Sequence, residues 1–220
     1  MSRLPHLTRR VATCAAAIAL VVTSVVVATP AEAHQPKLGS RSLAAVLASD
    51  GDTFDRNWND YDILTQAVGA VLAAKPASPV SVLANGKVAL TAFLPSDRAF
   101  QLLAADLTGH WYRSESQLFN ALAGLLGIDT IEAVLLYHVI PGATITSRTA
   151  LKSDGAHLTT ALPGGKITVD VLSKRYRLIR LIDADHNDRD PLLNPRALDI
   201  NKGNRQIAHG IFLVLRPLDI

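Results

Sequence analysis

Residues 135–142 read Leu-Leu-Tyr-His-Val-Ile-Pro-Gly, and this stretch decides the fold that we expect for the chain. Just before it, Asp129 is a favourable N-cap residue and Glu132 stands three places later, which is the pattern of a capping box. This pattern predicts a helix that begins at Thr130. The Pro-Gly pair cannot continue a helix, so a turn should follow, and residues 143–147 then favour a strand.

The periodicity of this helix separates the histidine from the tyrosine. Ile131, Val134 and Leu135 form an apolar stripe at helical spacing, and His138 continues that stripe, whereas Tyr137 lies off it. A polar group on a buried stripe is usually hydrogen-bonded. We therefore expect His138 to be a buried, hydrogen-bonded core residue that joins the helix end to a sheet, and Tyr137 to contact solvent.

Two further stretches lie on either side of this one. Residues 91–100 read Thr-Ala-Phe-Leu-Pro-Ser-Asp-Arg-Ala-Phe, an apolar strand that ends in a turn where Ser96 or Asp97 caps a helix. Residues 207–217 read Ile-Ala-His-Gly-Ile-Phe-Leu-Val-Leu-Arg-Pro, a closing apolar strand in which His209 faces the core. In this order, the three stretches resemble the first homology segment, the Tyr-His motif and the second homology segment of the fasciclin (FAS1) domain family.

The resemblance covers residues 61–218 and implies both a fold and a function. The implied fold is α+β, a FAS1-like wedge-shaped β-sandwich flanked by several α-helices. The implied function is a non-enzymatic adhesion or recognition module that binds a surface protein, a matrix component or a glycan, with no cofactor. In the family, the Tyr-His motif and its aliphatic neighbours are linked to receptor contact. The candidate binding residues are therefore Tyr137, His138, Ile140 and Ile145.

The remaining sequence pattern places helices mostly first and strands mostly last, which favours α+β over alternating βαβ units. Helices are predicted near 43–47, 63–72, 98–107 and 116–126, and strands over 157–162, 167–172, 178–182 and 207–215. A hairpin is predicted over 80–94, because Asn85-Gly86 separates two apolar runs.

The first 33 residues have the pattern of a secretory signal peptide. Three arginines precede an apolar run over 11–28, and Ala31-Glu32-Ala33 has the small-x-small form of a cleavage site. An uncleaved membrane anchor is the weaker alternative, since Thr23-Ser24 and Pro30 interrupt the run. Export by the general or the twin-arginine route stays open, because Arg9-Arg10 stands before the apolar run.

Cleavage after Ala33 would leave a flexible leader over 34–41 and a single domain over 42–220. It would remove three of the 22 basic and one of the 19 acidic residues, which leaves 19 against 18. This balance, with no arginine–aromatic patch evident, gives no case for nucleic acid. Cleavage would also remove Cys14, the one cysteine, so we expect a disulfide-free extracellular domain. No wall-sorting tail precedes Ile220, which predicts release or loose association with the cell wall.

The acidic stretch over 183–190 is the strongest candidate for a metal site. Its alternate carboxylates are Asp183, Asp185 and Asp190. A calcium-binding EF-hand loop would need glycine at the sixth position and glutamate at the twelfth, where this chain has Asp188 and Asn194. We therefore expect a solvated loop that Arg189 partly neutralises, and a calcium-dependent module stays an alternative.

The sequence offers little for other chemistry. No two histidines of the mature chain stand at zinc-ligand spacing, and no G-x-S-x-G motif is present. Gly164-Gly165 lies between two predicted strands, so it does not form a phosphate-binding loop before a helix. We therefore predict no metal and no enzyme activity. A secreted hydrolase with a spatially assembled Ser/His/Asp site remains the rival hypothesis.

Overall fold

The computed structural model of the protein describes residues 37–49 and 54–218. The predicted signal peptide, Cys14 and the first three residues of the predicted leader lie outside the described residues. The helices are α1 (Leu43–Leu47), α2 (Asp62–Ala74), α3 (Asp97–Thr108), α4 (Glu115–Tyr137) and α5 (Ser147–Ala150), with a 3₁₀ helix over Pro79–Ala84. The strands are β1 (Leu90–Pro95), β2 (Val139–Pro141), β3 (His157–Thr159), β4 (Lys166–Ser173), β5 (Leu178–Ile182) and β6 (Gln206–Ile211).

Local chemistry explains several of the helix ends. The hydroxyl of Ser42 accepts a hydrogen bond from the Ala45 amide and caps α1. Gly109 ends α3 with a left-handed backbone conformation (φ 67°), which glycine adopts without a steric cost. These helices and the four later strands were all predicted from periodicity, although β6 ends at Ile211 rather than at residue 215.

Helix α4 is two helical segments joined at Gly127, whose backbone is not helical (φ 72°, ψ 165°). The second segment therefore begins before the predicted Thr130. The predicted capping box is wrong, because the Glu132 carboxylate bonds to Lys75 and Ser78. By length and composition α4 could cross a membrane, but it is broken at Gly127 and packs on α2 and α3.

The predicted hairpin over 80–94 is wrong, because its first half is the 3₁₀ helix. The Ser78 hydroxyl accepts a hydrogen bond from the Val80 amide, and Pro79 occupies the first helical position, where it is favourable. The strand predicted over 143–147 is also absent from this segment. There Thr146 caps α5 by accepting a hydrogen bond from the Thr149 amide.

Two three-stranded sheets form the β part of the fold. The first has the order β2-β1-β6, with β1 antiparallel to β2 and parallel to β6. The second has the order β3-β4-β5 and is antiparallel throughout, with a register shift between Val171 and Ser173. The Ala161 amide donates a hydrogen bond to the Val139 carbonyl at 2.7 Å and so joins the edge of the first sheet to the end of β3.

Strand β1 separates two hydrophobic layers, and its period of two decides which side chain enters which layer. Leu90, Ala92 and Leu94 pack in the layer between the first sheet and the helices. Phe93 points the other way, into the layer between the two sheets. Both faces of β1 are buried, as expected for a strand paired in parallel within a covered sheet.

Residues 39–41, at the end of the predicted leader, form hydrogen bonds with residues 203–205. Gly39 forms backbone hydrogen bonds with Gly203 and Arg205, and the Arg41 amide donates to the Asn204 side chain. The prediction of a flexible leader through residue 41 is therefore wrong for residues 39–41. These bonds place the start of α1 against the strand that closes the first sheet.

The buried side chain of Gln206 connects the start of α1 to the 3₁₀ helix. Its Oε1 accepts a hydrogen bond from the Leu43 amide at 2.7 Å. Its Nε2 donates to the carbonyls of Val82 and Asn85 at 2.8 Å and 2.9 Å. One fully buried amide thus links α1, the 3₁₀ helix and β6, and it satisfies the buried Leu43 amide.

Candidate functional site

Tyr137, the last residue of α4, is fully buried between the two sheets. Its hydroxyl donates a hydrogen bond to the Lys166 carbonyl at 2.6 Å, and its ring lies 2.9 Å from where a side chain at Gly165 would begin. Burial raises the pKa of Tyr137 to about 12. The prediction that Tyr137 contacts solvent is wrong, because the second sheet covers the side of the helix that periodicity alone marks as open.

His138 is buried, with 4% of its surface exposed, and both ring nitrogens have partners, as predicted. Nε2 accepts a hydrogen bond from the Leu215 amide at 3.0 Å, so the proton of the neutral ring lies on Nδ1. Nδ1 donates to the Val134 carbonyl at 2.7 Å. Burial lowers the pKa of His138 to about 4, so the ring is uncharged near neutral pH.

The other two candidate binding residues also lie inward. Ile140 is 4% exposed, and half-buried Ile145 lines a cavity of about 80 Å³ between the sheets, beside His209. Tyr137, Ile140 and Ile145 therefore pack between the sheets. His138 lies with Leu43 and Leu64 on the helix side of the first sheet, so the four residues form no continuous exposed patch. Pro141, the last residue of β2, and Gly142 after it are exposed.

The stretch over 183–190 is not the solvated loop that was predicted. Asp183 and Asp185 are 5% and 2% exposed. The base that neutralises the stretch is Arg216, not Arg189, and it pairs with Asp185 at 3.3 Å and with Asp188 at 3.2 Å. Because a cation from the chain already occupies this position, the stretch does not resemble a calcium site.

Two further contacts complete this buried ion-pair network. Arg216 also pairs with Asp106 of α3 at 2.7 Å, and its backbone amide donates to Asp183 at 2.8 Å. Burial raises the pKa of Asp183 to about 7, against the opposing effect of the Arg216 and Asp185 amides. The network ties the segment after β6 to α3 and to the stretch that follows β5.

A serine, an aspartate and a histidine meet near α5, but not as a catalytic triad. The Ser147 hydroxyl donates to the Asp199 carboxylate at 2.8 Å, and Arg177 donates to the same hydroxyl. His209 uses both ring nitrogens on backbone groups, the Asp199 amide and the Ile145 carbonyl. The histidine therefore does not accept the serine proton, and both side chains are 1% exposed. This arrangement favours a structural role.

An arginine–aromatic patch that the sequence did not reveal lies at the start of α3. The Arg98 guanidinium lies 5.7 Å from the ring centroid of Trp58 and 5.8 Å from that of Trp111. Gln101 accepts a hydrogen bond from Arg98 and donates to the Tyr112 carbonyl, which fixes the guanidinium between the rings. Trp111 is 46% exposed. We call Trp58, Arg98 and Trp111 the Trp–Arg patch.

Beside this patch, carboxylates converge where three helices begin. Asp62, Asp97 and Glu115 are the first residues of α2, α3 and α4, and Asp55 and Asp60 lie in the segment before α2. We call these five residues the acidic cluster.

The carboxylates of the acidic cluster form two close groups that share Asp60. One oxygen each from Asp55, Asp60 and Glu115 lie within 4.8 Å of one another, and the same holds for Asp60, Asp62 and Asp97. The backbone supports this convergence, since the Asp97 amide donates to the Asp60 carbonyl at 3.1 Å. Acidic residues at helix starts are visible in the sequence, but nothing in it indicates that three helices start at one place.

The sequence profile of the fasciclin domain matches residues 64–190 of this chain. The chain belongs to the fasciclin domain family. The match includes most of α2, the Tyr-His motif and the whole of the second sheet. The α+β arrangement of helices with two small sheets is the FAS1-like fold that was predicted.

The fold is similar to a FAS1 domain pair from the insect cell adhesion molecule fasciclin I, with 18% sequence identity and a TM-score of 0.47. That similarity covers 69% of this fasciclin-family chain and 46% of the insect chain. No curated protein sequence matches the chain.

Proposed function

We propose that this fasciclin-family chain is a secreted, non-enzymatic adhesion or recognition module that binds an extracellular or cell-surface protein, a matrix component or a glycan. The proposal is supported by family membership and by the export pattern of residues 1–33. Cleavage after Ala33 would leave the domain over 42–220 to act outside the cell or in loose association with the cell wall.

The Trp–Arg patch is the observation that carries this proposal. Tryptophan and arginine are enriched among the residues that supply most of the binding energy at protein interfaces. Here Arg98 is held between two indole rings, and Gln101 fixes its position. A preorganised pair of this kind loses little conformational entropy when a partner binds.

The four residues named from the family resemblance have a supporting role in this proposal. Tyr137, His138 and Ile140 are buried, so they hold the turn at Pro141-Gly142 in place rather than contact a partner directly. Half-buried Ile145 is the member of this group closest to a direct contact.

The test compares capture by the purified protein and by two variants, each immobilised and exposed to cell-envelope fractions and to a glycan panel. Trp111→Ala should reduce capture by about tenfold or more, the loss typical of an interface anchor. Tyr176→Ala is the matched control, because Tyr176 is 70% exposed and also lies under an arginine, Arg175, at 5.5 Å. Equal capture by the two variants would contradict the assignment of the binding surface to the Trp–Arg patch.

A further inference from the structure

We propose that the acidic cluster binds a divalent cation of the calcium type, with Asp55, Asp60 and Glu115 as its central ligands and Asp62 and Asp97 as their neighbours. This inference is independent of the proposed adhesion function. It rests on the geometry of the carboxylates, on buried oxygens without partners and on the charge of the region.

The separation of the oxygens suits calcium. Calcium binds oxygen ligands at about 2.3–2.6 Å, so two oxygens on opposite sides of one ion lie at most about 5 Å apart. The oxygens of Asp55, Asp60 and Glu115 all lie within 4.8 Å of one another. They can therefore contact a common ion without a change of fold, and solvent can complete its coordination on the side of exposed Asp55.

Glu115 supplies the second observation. Its side chain is 1% exposed, and neither carboxylate oxygen has a hydrogen-bond partner among the described residues. One of these buried oxygens approaches Asp55 and Asp60. In Asp97, Oδ1 accepts the Ile63 amide at 3.0 Å, and the buried Oδ2 lies beside the Asp60 carboxyl. Buried polar atoms are rarely left in this state unless a ligand, an ion or water satisfies them.

The lack of ion pairs at three of these carboxylates also supports a bound cation. Within the described part of the chain, no lysine, arginine or histidine forms an ion pair with Asp55, Asp97 or Glu115. A bound cation would supply the positive charge that these three carboxylates lack among the described residues.

The buried carboxylates over 183–190 show the contrast within the same molecule. There Arg216 enters the group and pairs with Asp185 and Asp188. Beside Asp55, Asp97 and Glu115, a bound cation would take the corresponding place. The positive ends of three helix dipoles also stabilise the carboxylates of Asp62, Asp97 and Glu115.

Ligand chemistry decides the kind of ion. The cluster offers only carboxylate oxygens, which suit hard cations, whereas zinc sites use histidine and cysteine. Magnesium needs a nearly ideal octahedron at about 2.0–2.1 Å and keeps much of its water, while calcium accepts irregular groups of anionic oxygens. The irregular arrangement of the five carboxylates therefore favours calcium.

The test is a calcium titration of purified protein after treatment with EDTA, followed by calorimetry and tryptophan fluorescence. Trp58 lies between Asp55 and Asp60 in the sequence, and the chain has two tryptophans. A Trp111→Phe background therefore leaves Trp58 as the single reporter. We expect saturable heat, a matching change in fluorescence and a melting temperature that rises with calcium concentration.

Three variants decide whether these signals come from the acidic cluster. Glu115→Gln and Asp55→Asn should weaken calcium binding by about tenfold or more, by analogy with the losses seen on altering metal-site residues. Asp129→Asn, which removes a carboxylate that is 85% exposed at another site, should bind calcium like the parent protein. Circular dichroism without calcium should show all three folded, since Glu115→Gln removes a buried charge without changing side-chain shape.

The opposing outcomes are equally clear. Absence of saturable calcium binding at millimolar concentration would overturn the inference. Equal calcium affinity of folded Glu115→Gln and the parent protein would also overturn it, as would binding of magnesium in preference to calcium.

Discussion

The backbone amide of Leu215 donates a hydrogen bond to Nε2 of His138 at 3.0 Å, and this bond joins two segments that lie 77 residues apart in the sequence. His138 follows α4 directly, and Leu215 follows the closing strand β6. The Nδ1 proton of the same ring is bonded to the Val134 carbonyl. A single neutral imidazole therefore fixes the end of a helix to the end of the domain.

Replacing His138 by alanine should lower the free energy of unfolding by about 2–4 kcal/mol, because the change leaves a cavity and removes the partner of a buried amide. Urea denaturation measures this loss. His157→Ala is the control, since exposed His157 bonds to the Thr168 hydroxyl on the surface of the second sheet. A loss no larger than that of the control would contradict the structural role of His138.

The contribution of His138 should depend on pH in a defined direction. Its pKa is about 4 in the folded protein and about 6.5 when unfolded, so the unfolded state binds the proton first as pH falls. The stabilising contribution is therefore complete above about pH 6.5 and is lost progressively between pH 6.5 and 4, by roughly 3 kcal/mol in total.

This effect is measured as the difference between the parent protein and His138→Ala at each pH. Comparison of the two proteins is needed because Asp183 acts in the opposite direction. The pKa of Asp183 is raised to about 7, so its ionisation destabilises the fold as pH rises from about 4 towards 7. A difference that stays constant from pH 7 to pH 4 would show that the His138 ring is not buried as described.

Tyr137→Phe should destabilise the protein by about 1–2 kcal/mol, because the Lys166 carbonyl loses its hydrogen bond between the sheets. Thermal unfolding measures this effect. Tyr176→Phe serves as the control and should be neutral, since Tyr176 is 70% exposed. Equal melting temperatures for the two variants would mean that the Tyr137 hydroxyl does not stabilise the fold.

Replacing Arg216 by methionine should cost about 3–5 kcal/mol, because Asp185 would remain buried without its cation. Chemical denaturation provides the measurement. Arg180→Met removes the pair with Asp170, in which the arginine side chain is 40% exposed, and should cost at most about 1 kcal/mol. Adding Asp185→Asn to Arg216→Met should restore part of the loss, and failure to do so would place the effect elsewhere.

Gln206→Ala should lower the free energy of unfolding by about 2–3 kcal/mol, since the buried Leu43 amide loses its partner and the carbonyls of Val82 and Asn85 each lose one hydrogen bond. Hydrogen exchange gives a local readout, because the Leu43 amide should exchange faster in the variant. Gln117→Ala, at an exposed position of α4, is the control. Unchanged exchange at Leu43 would show that Gln206 does not hold α1.

Local patterns predicted most of the secondary structure and the buried state of His138, because both depend on residues near in sequence. Side chains that meet across long distances explain the errors. Arg216 lies 31 residues from Asp185 and 110 from Asp106, so the acidic stretch looks solvated when considered alone. Gln206 lies 163 residues from Leu43, whose amide it accepts. It lies 124 and 121 residues from Val82 and Asn85, whose carbonyls it contacts at the 3₁₀ helix that was predicted as a hairpin.

The candidate sites were harder to predict than the fold. The Tyr-His motif identified the family, but the helical period could not show that the second sheet covers Tyr137. The Trp–Arg patch and the acidic cluster both form where α2, α3 and α4 begin, and their members come from separate segments of the chain. Their convergence depends on how the helices pack, which no local pattern reports.

The parallel pairing of β1 with β6 sets an order of events for a chain made from its N-terminus. Thr91 pairs with Ile207, so the middle strand of the first sheet gains this neighbour only after residue 207 has been made. Contacts of such long sequence separation slow folding. A nascent chain can therefore pair β1 with β2 early, but one edge of β1 stays without its partner until β6 is available.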